Sequence, residues 1–232
     1  MNKKLYEFMT LLHNQVGKGV YVWGADGEDL TAMKTPEAWI ERHAATAAHG
    51  KLALKMFKDL KAHGVEPIRA FDCSGLVYWT LKKVGLQKSD VSSRGLYRLC
   101  KEIKKDELRE GDFVFHHDGT RIVHVGVYAG QGLYIECRGA KYGVVLNKTH
   151  YVGYWNRFGR WKAFDTEPTI VCVKGRSVNV RDADNKSGNV LGIAHRGESY
   201  SLLGTAESGW YKINFKGSAA YISNRADLTE VR

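Results

Sequence analysis

The feature that most constrains the fold is a change of periodicity along the chain. Up to about residue 110, apolar residues recur at helical spacing; from Gly111 onward they fall into short β-branched and aromatic runs punctuated by Gly, Asp and Gln. Helices followed by strands predict an α+β fold with helices packed on an antiparallel sheet. Leu5, Phe8, Met9, Leu12 and Val16 mark a helix over residues 3–16. Thr35-Pro36-Glu37 opens a second helical region that runs toward His63-Gly64, with a break expected near Gly50. A third helix starts at Asp72 and ends at Gly85, with Leu76, Val77, Trp79, Leu81 and Val84 on its apolar face. Strands are expected over 112–115, 122–128, 133–137 and 143–146.

A second boundary lies at Asp165-Thr166-Glu167-Pro168-Thr169, which carries one of only three prolines. After it, about six short strands are expected, over 171–173, 177–181, 190–194, 200–205, 210–215 and 219–223. That pattern predicts a small β-barrel. The expected organisation is a first domain over 1–165 and a second over 169–232. The 232 residues, 44% hydrophobic, suffice for one ordinary core and one small one.

Composition narrows the function less. The net charge is +10; residues 166–232 hold 9 Lys/Arg against 7 Asp/Glu, leaving 26 against 18 before them. A basic first domain favours polyanions of any kind, or serves solubility alone. No nucleic-acid reader motif is present, so no nucleic-acid partner is expected. Met1-Asn2-Lys3-Lys4 is followed by Glu7, His13, Asn14 and Gln15, which interrupt the apolar run of a secretory leader. The expectation is therefore synthesis without a signal peptide and no membrane insertion. The route outward would then be release after lysis of the cell, or none, with the substrate met in the cytoplasm. Cys73, Cys100, Cys137 and Cys172 form no CxxC pair and read as free thiols. His116-His117-Asp118 sits in a turn-like stretch, but no further ligand follows at metal-binding spacing, so no metal and no other cofactor is expected.

The chemistry concentrates in Phe71-Asp72-Cys73-Ser74-Gly75-Leu76-Val77. Asp72 is a good helix N-cap, which puts Cys73 in the first turn, where the helix dipole and free N–H groups favour an anionic sulfur and a developing oxyanion. Taken alone, Cys73 reads equally as a small buried residue. A thiolate nucleophile needs a base and something to hold it. In Arg121-Ile122-Val123-His124-Val125-Gly126-Val127-Tyr128, alternation puts the three valines on one face and His124 with Gly126 on the other. A hairpin pivoting on Gly130 sets Tyr128 opposite Gly132 and His124 opposite Glu136, whose carboxylate then orients the imidazole. A one-residue slip brings Cys137 there instead. Glu136 also reads as a solvated carboxylate paired with Arg138 or Arg121.

Tyr21-Val22-Trp23-Gly24, the Asp72-Cys73-Ser74-Gly75 element, Leu108-Arg109-Glu110-Gly111-Asp112-Phe113-Val114-Phe115 and His124-Val125-Gly126-Val127-Tyr128 together resemble the NlpC-type cysteine peptidases of bacterial cell-wall metabolism, over most of residues 15–146. The resemblance implies a papain-like fold, with Cys73 as nucleophile and His124 as base. Its third catalytic position, often histidine, reads Glu136 here. It also implies that Tyr21 lies near the nucleophile and that Asp72 and Ser74 help bind the peptide end of the substrate; for Trp23, core packing is the expectation. A helical insertion at about 30–64 departs from the family and reads as a groove wall, a lid or padding. Ser177-Val178-Asn179-Val180-Arg181, Gly192, Arg196-Gly197-Glu198 and Gly209-Trp210-Tyr211-Lys212-Ile213 resemble bacterial SH3-like domains, which implies wall binding. The expected function is hydrolysis of an amide bond in the stem peptide of peptidoglycan, at the γ-D-glutamyl–diamino acid bond. An N-acetylmuramoyl-L-alanine amidase and a non-catalytic wall-binding protein are the alternatives.

Overall fold

The computed structural model describes residues 3–148, 153–165 and 170–231. The chain divides into two compact units. One is Leu11–Asp165; the other is Thr166–Arg232 together with Met1–Thr10, where the sequence pattern had assigned residues 1–165 to one domain. Residues 166–169 of the expected boundary lie outside the described residues.

In chain order the elements begin with α1 (Lys3–Gln15), β1 (Gly19–Tyr21), β2 (Asp26–Asp29), α2 (Pro36–His43), α3 (Ala47–Ala62), β3 (Arg69–Phe71), α4 (Cys73–Lys83) and α5 (Ser93–Leu99). They continue with β4 (Cys100–Glu102), β5 (Phe113–His117), β6 (Ile122–Gly130), β7 (Leu133–Cys137), β8 (Val144–Asn147) and β9 (Arg157–Trp161). The six-stranded sheet runs β4-β9-β5-β6-β7-β8, antiparallel throughout. A separate three-stranded sheet, β1-β3-β2, joins β1 to β3 in parallel. This small sheet carries none of the periodicity that marks strands: Asp26-Gly27-Glu28-Asp29 is polar and becomes a strand through its pairing with β3.

The insertion forms α2 and α3. The break falls at residues 44–46 rather than at Gly50, because Thr46 Oγ1 accepts the His49 N–H at 3.2 Å and caps a new helix. Gly50 instead lies buried inside α3, where an added methyl group would come within 3.3 Å of the Ala44 Cβ. Ile40, Ala53 and Phe57 share a core with Val20, Val22, Leu30, Ile68 and Ala70, so the inserted helices are built into the support of β1 and β3.

The remaining strands are β10 (Ile170–Val173), β11 (Ser177–Arg181), β12 (Val190–His195), β13 (Ser199–Thr205), β14 (Tyr211–Phe215), β15 (Ser218–Ile222) and β16 (Thr229–Val231). They form a seven-stranded sheet around Val171, Val178, Val180, Ile213, Phe215 and Ile222, an SH3-like arrangement of strands. Tyr211 packs against that core. β16 is the strand the pattern missed; its pairing with β10 outweighs a charged Thr-Glu-Val sequence.

Candidate active site

α4 begins as its cap requires. Asp72 Oδ1 accepts the Gly75 N–H at 2.7 Å and the Ser74 hydroxyl at 3.0 Å, while Oδ2 accepts the Gly24 N–H at 3.1 Å. One carboxylate therefore caps the helix and ties the β1–β2 turn to it. The Asp72 N–H donates to the Ala25 carbonyl at 2.8 Å, which brings that carbonyl against the first turn. A methyl group on Gly75 would come within 1.9 Å of it, so only glycine fits. Cys73 opens α4, partly accessible, two residues after β3.

The base sits on β6. His124 Nε2–H donates to Glu136 Oε2 at 2.6 Å, and the Cys73 side chain is near enough to stabilise the charged imidazole. A carboxylate can only accept, so the proton is on Nε2, and Nδ1 is the nitrogen left for sulfur. Burial pulls the His124 pKa down, but Cys73 and Glu136, which favour the charged ring, outweigh it and raise it to about 9. Glu136 is fully buried.

Sulfur, imidazole and carboxylate thus meet, but by another register than the hairpin rule gives. Val127 pairs with Ile135 and Tyr128 with Tyr134, with a bulge before Gly130 pairs with Leu133. Continuing this ladder sets Glu136 opposite Gly126, and His124 reaches it diagonally. The error is two residues, so the face is kept. A second bulge, where His116 pairs with His124 and His117 with Ile122, turns Val123 outward; Val125 and Val127 are fully buried, but Val123 is 39% exposed.

Tyr21 pairs with Phe71 at the end of β1. Burial, then the nearby negative charges of Cys73, Asp72 and Cys137, hold its phenol above the ordinary range. Trp23 does not pack in the core: it is 63% exposed, at the turn that Gly24 closes onto Asp72. Asp26 also faces this group. Burial, then Asp90, Asp72 and Glu28, raise its pKa to about 7 against the opposing effect of Lys82. Cys137 lies beneath, its Sγ–H donating to the Phe71 carbonyl at 3.4 Å. Successive residues of β7 therefore contact His124 and the strand that leads to Cys73.

Residues 61–160 match the model of the NlpC/P60 family, and residues 176–226 match that of the bacterial SH3 domain. Residues 61–160 thus carry an NlpC/P60 domain, followed by a bacterial SH3 domain. Over 97 residues the chain is 35% identical to the murein DD-endopeptidase MepH of Escherichia coli (strain K12), covering 40% of this chain and 36% of that protein. Over 108 residues it is 33% identical to the bifunctional muramidase/DL-endopeptidase CwlT of Bacillus subtilis (strain 168), covering 43% of this chain and 31% of that one. A crystal structure of the P60 domain from the M. avium subspecies paratuberculosis antigen MAP1204 is 21% identical, with a TM-score of 0.45, over 70% of this chain and 96% of that one. The chain spans about a third of the length of the curated relatives it matches.

Within the NlpC/P60 domain, sequence reasoning missed residues 154–156. The Trp155 ring stacks on His124 at 5.6 Å and 13°. Its edge fills the space over Gly126, where an added methyl group would come within 3.1 Å of it. The Tyr154 ring stacks on His116 at 4.3 Å, and Asn156 grips the His117 backbone through both amide atoms, at 2.8 and 2.9 Å. Gly126 was the available signal: a glycine one step from the base, in a strand otherwise rich in valine, marks a close approach. His116 and His117 end β5, and Asp118 Oδ1 makes the following turn by accepting the Thr120 and Arg121 N–H groups. Among the described residues, no group of three or more His, Cys, Asp or Glu is arranged to hold a metal. Among them, too, no helix is long and apolar enough to cross a membrane.

Proposed function

We propose that this chain is a cysteine peptidase that hydrolyses an amide bond in the stem peptide of peptidoglycan, at the γ-D-glutamyl–diamino acid linkage. The observation that carries this reading is the imidazole of His124, hydrogen-bonded to the buried carboxylate of Glu136 and near enough to Cys73 for the sulfur to stabilise its charged form. The names of two relatives, a DD-endopeptidase and a DL-endopeptidase, support stem-peptide cleavage as the class and leave the bond as the finer choice.

His124 Nδ1 takes the Cys73 proton, and the thiolate attacks the carbonyl carbon. The Asp72 side chain and carbonyl take the Gly75 and Leu76 N–H groups, which leaves the Cys73 N–H for the oxyanion. The imidazolium then protonates the leaving nitrogen as the C–N bond breaks. Water, deprotonated by His124, hydrolyses the thioester and restores the thiol. Glu136 holds the ring and balances its charge throughout. Tyr21, Asp72 and Ser74 contact the peptide end on the acyl side, and the SH3-like domain holds the enzyme to the wall.

Digestion of purified peptidoglycan, followed by mass spectrometry and labelling of new amines, tests this. The expected product has a new free amine on the diamino acid, and Cys73→Ala abolishes its formation. New amines on L-alanine identify an N-acetylmuramoyl-L-alanine amidase instead, and digestion undiminished in Cys73→Ala removes the cysteine mechanism.

A further inference from the structure

His116 stands directly across the β5–β6 ladder from His124, so both side chains emerge on the same face of the sheet. Glu136, His124 and His116 form a polar row across three adjacent strands. His116 Nδ1–H donates to the Tyr154 carbonyl at 2.8 Å, and the ring is clamped by stacking at 4.3 Å and 5° on Tyr154. A carbonyl oxygen can only accept, so this bond fixes the proton on Nδ1 and makes Nε2 of the neutral ring an acceptor. Nε2 has no hydrogen-bond partner among the described residues. It is not among the buried, unpartnered polar atoms, and His116 is only half-buried. An immobilised acceptor, half-accessible and beside His124, is placed to act as a recognition group.

The position selects the ligand. His124 donates its proton to the leaving nitrogen, so the released part of the substrate departs from the His124 side of the sulfur. On its β7 side that histidine is closed off by the fully buried Glu136. On its β5 side lies half-buried His116. We propose that His116 is a specificity residue for the leaving group, its Nε2 accepting a hydrogen bond from an N–H of the amino acid whose amine is released. This rests on the peptidase reading above.

The test uses the full chain and two synthetic substrates with the same L-alanyl-γ-D-glutamyl acyl part. One releases a diamino acid peptide, rich in N–H donors; the other releases 7-amino-4-methylcoumarin, whose amine carries no further N–H donor beyond the scissile one. His116→Ala is expected to lower the ratio of kcat/KM for peptide over coumarin about tenfold, the worth of one well-placed hydrogen bond. His116→Gln, which keeps an acceptor, restores part of that ratio. An unchanged ratio overturns the proposal, whether both activities fall together, as they do if His116 only props His124, or neither falls. If the parent protein cleaves neither substrate, or Cys73→Ala cleaves both, the peptidase reading itself fails and this inference falls with it.

Discussion

His124 carries the charge logic of the site. Its imidazolium is worth more folded than unfolded, because Cys73 and Glu136 both stabilise the charged ring against its burial. A pKa raised from 6.5 to about 9 gives stability fully present below pH 6.5 and lost as pH rises through 9. The same proton is the one donated to the leaving amine. The kcat/KM profile is therefore expected to fall on its alkaline side near pH 9, and Glu136→Gln, which removes a carboxylate charge, to move that limb toward lower pH. A limb that stays in place in Glu136→Gln would mean that the carboxylate does not govern the base. Asp26 makes the opposite kind of statement. Its carboxyl, raised to about 7 by burial and by Asp90, Asp72 and Glu28, favours the fold when protonated, a contribution present below pH 3.8 and lost as pH rises through 7. Asp26→Asn is expected to raise the melting temperature at pH 8, the gain vanishing by pH 4. Melting curves at the two pH values decide it.

The elements show which parts of this arrangement the chain announces locally. The cap at Asp72, the helix after it, and the alternation around His124 are local patterns, and they set the face on which each side chain emerges. Register is not local: the β6–β7 hairpin turns at Gln131-Gly132 instead of pivoting on Gly130, and with the bulge at residues 128–130 the pairing ends two residues from the local expectation, which conserves the face. Nor is the small sheet β1-β3-β2 local, since its parallel pair joins residues 50 apart in sequence. The aromatic backing of His124 arrives from Tyr154 and Trp155, about thirty residues further along the chain. One long-range contact holds β9 to the start of β5. Arg160 Nε and Nη2 donate to the two oxygens of Asp112 at 2.8 and 2.9 Å, and Nη2 also donates to the Glu107 carbonyl at 2.7 Å. Asp112 is 2% and Arg160 6% exposed, and without Asp112 the buried guanidinium keeps the looser 3.7 Å pairing with Asp165 in place of a bidentate one. Asp112→Ala is expected to cost about 3–5 kcal/mol of stability by denaturant titration, far beyond a surface pair. Removing both charges together, in Asp112→Ala with Arg160→Met, is expected to cost less than the single change, because no charge is left unpaired.

At the scale of the whole molecule, the proposed attachment to the wall would draw on charge in one domain and on specific contacts in the other. Residues 1–165 carry 26 Lys/Arg against 18 Asp/Glu, whereas residues 166–232 are nearly balanced at 9 against 7. Attraction of the catalytic domain to anionic wall polymers is therefore long-ranged and screened by salt, with the screening length falling from about 10 Å at 0.1 M to about 3 Å at 1 M. Recognition by an SH3-like domain of low net charge depends instead on short-range contacts that salt leaves in place. The inactive Cys73→Ala chain, pelleted with purified wall at 0.05 M and 1 M NaCl, separates the two. The expected outcome is a large loss of bound protein at high salt, with a residue of saturable binding that persists. Complete loss at 1 M NaCl would assign wall attachment to charge alone and leave the SH3-like domain without a wall ligand. Binding that ignores salt altogether would make the basic surface a matter of solubility.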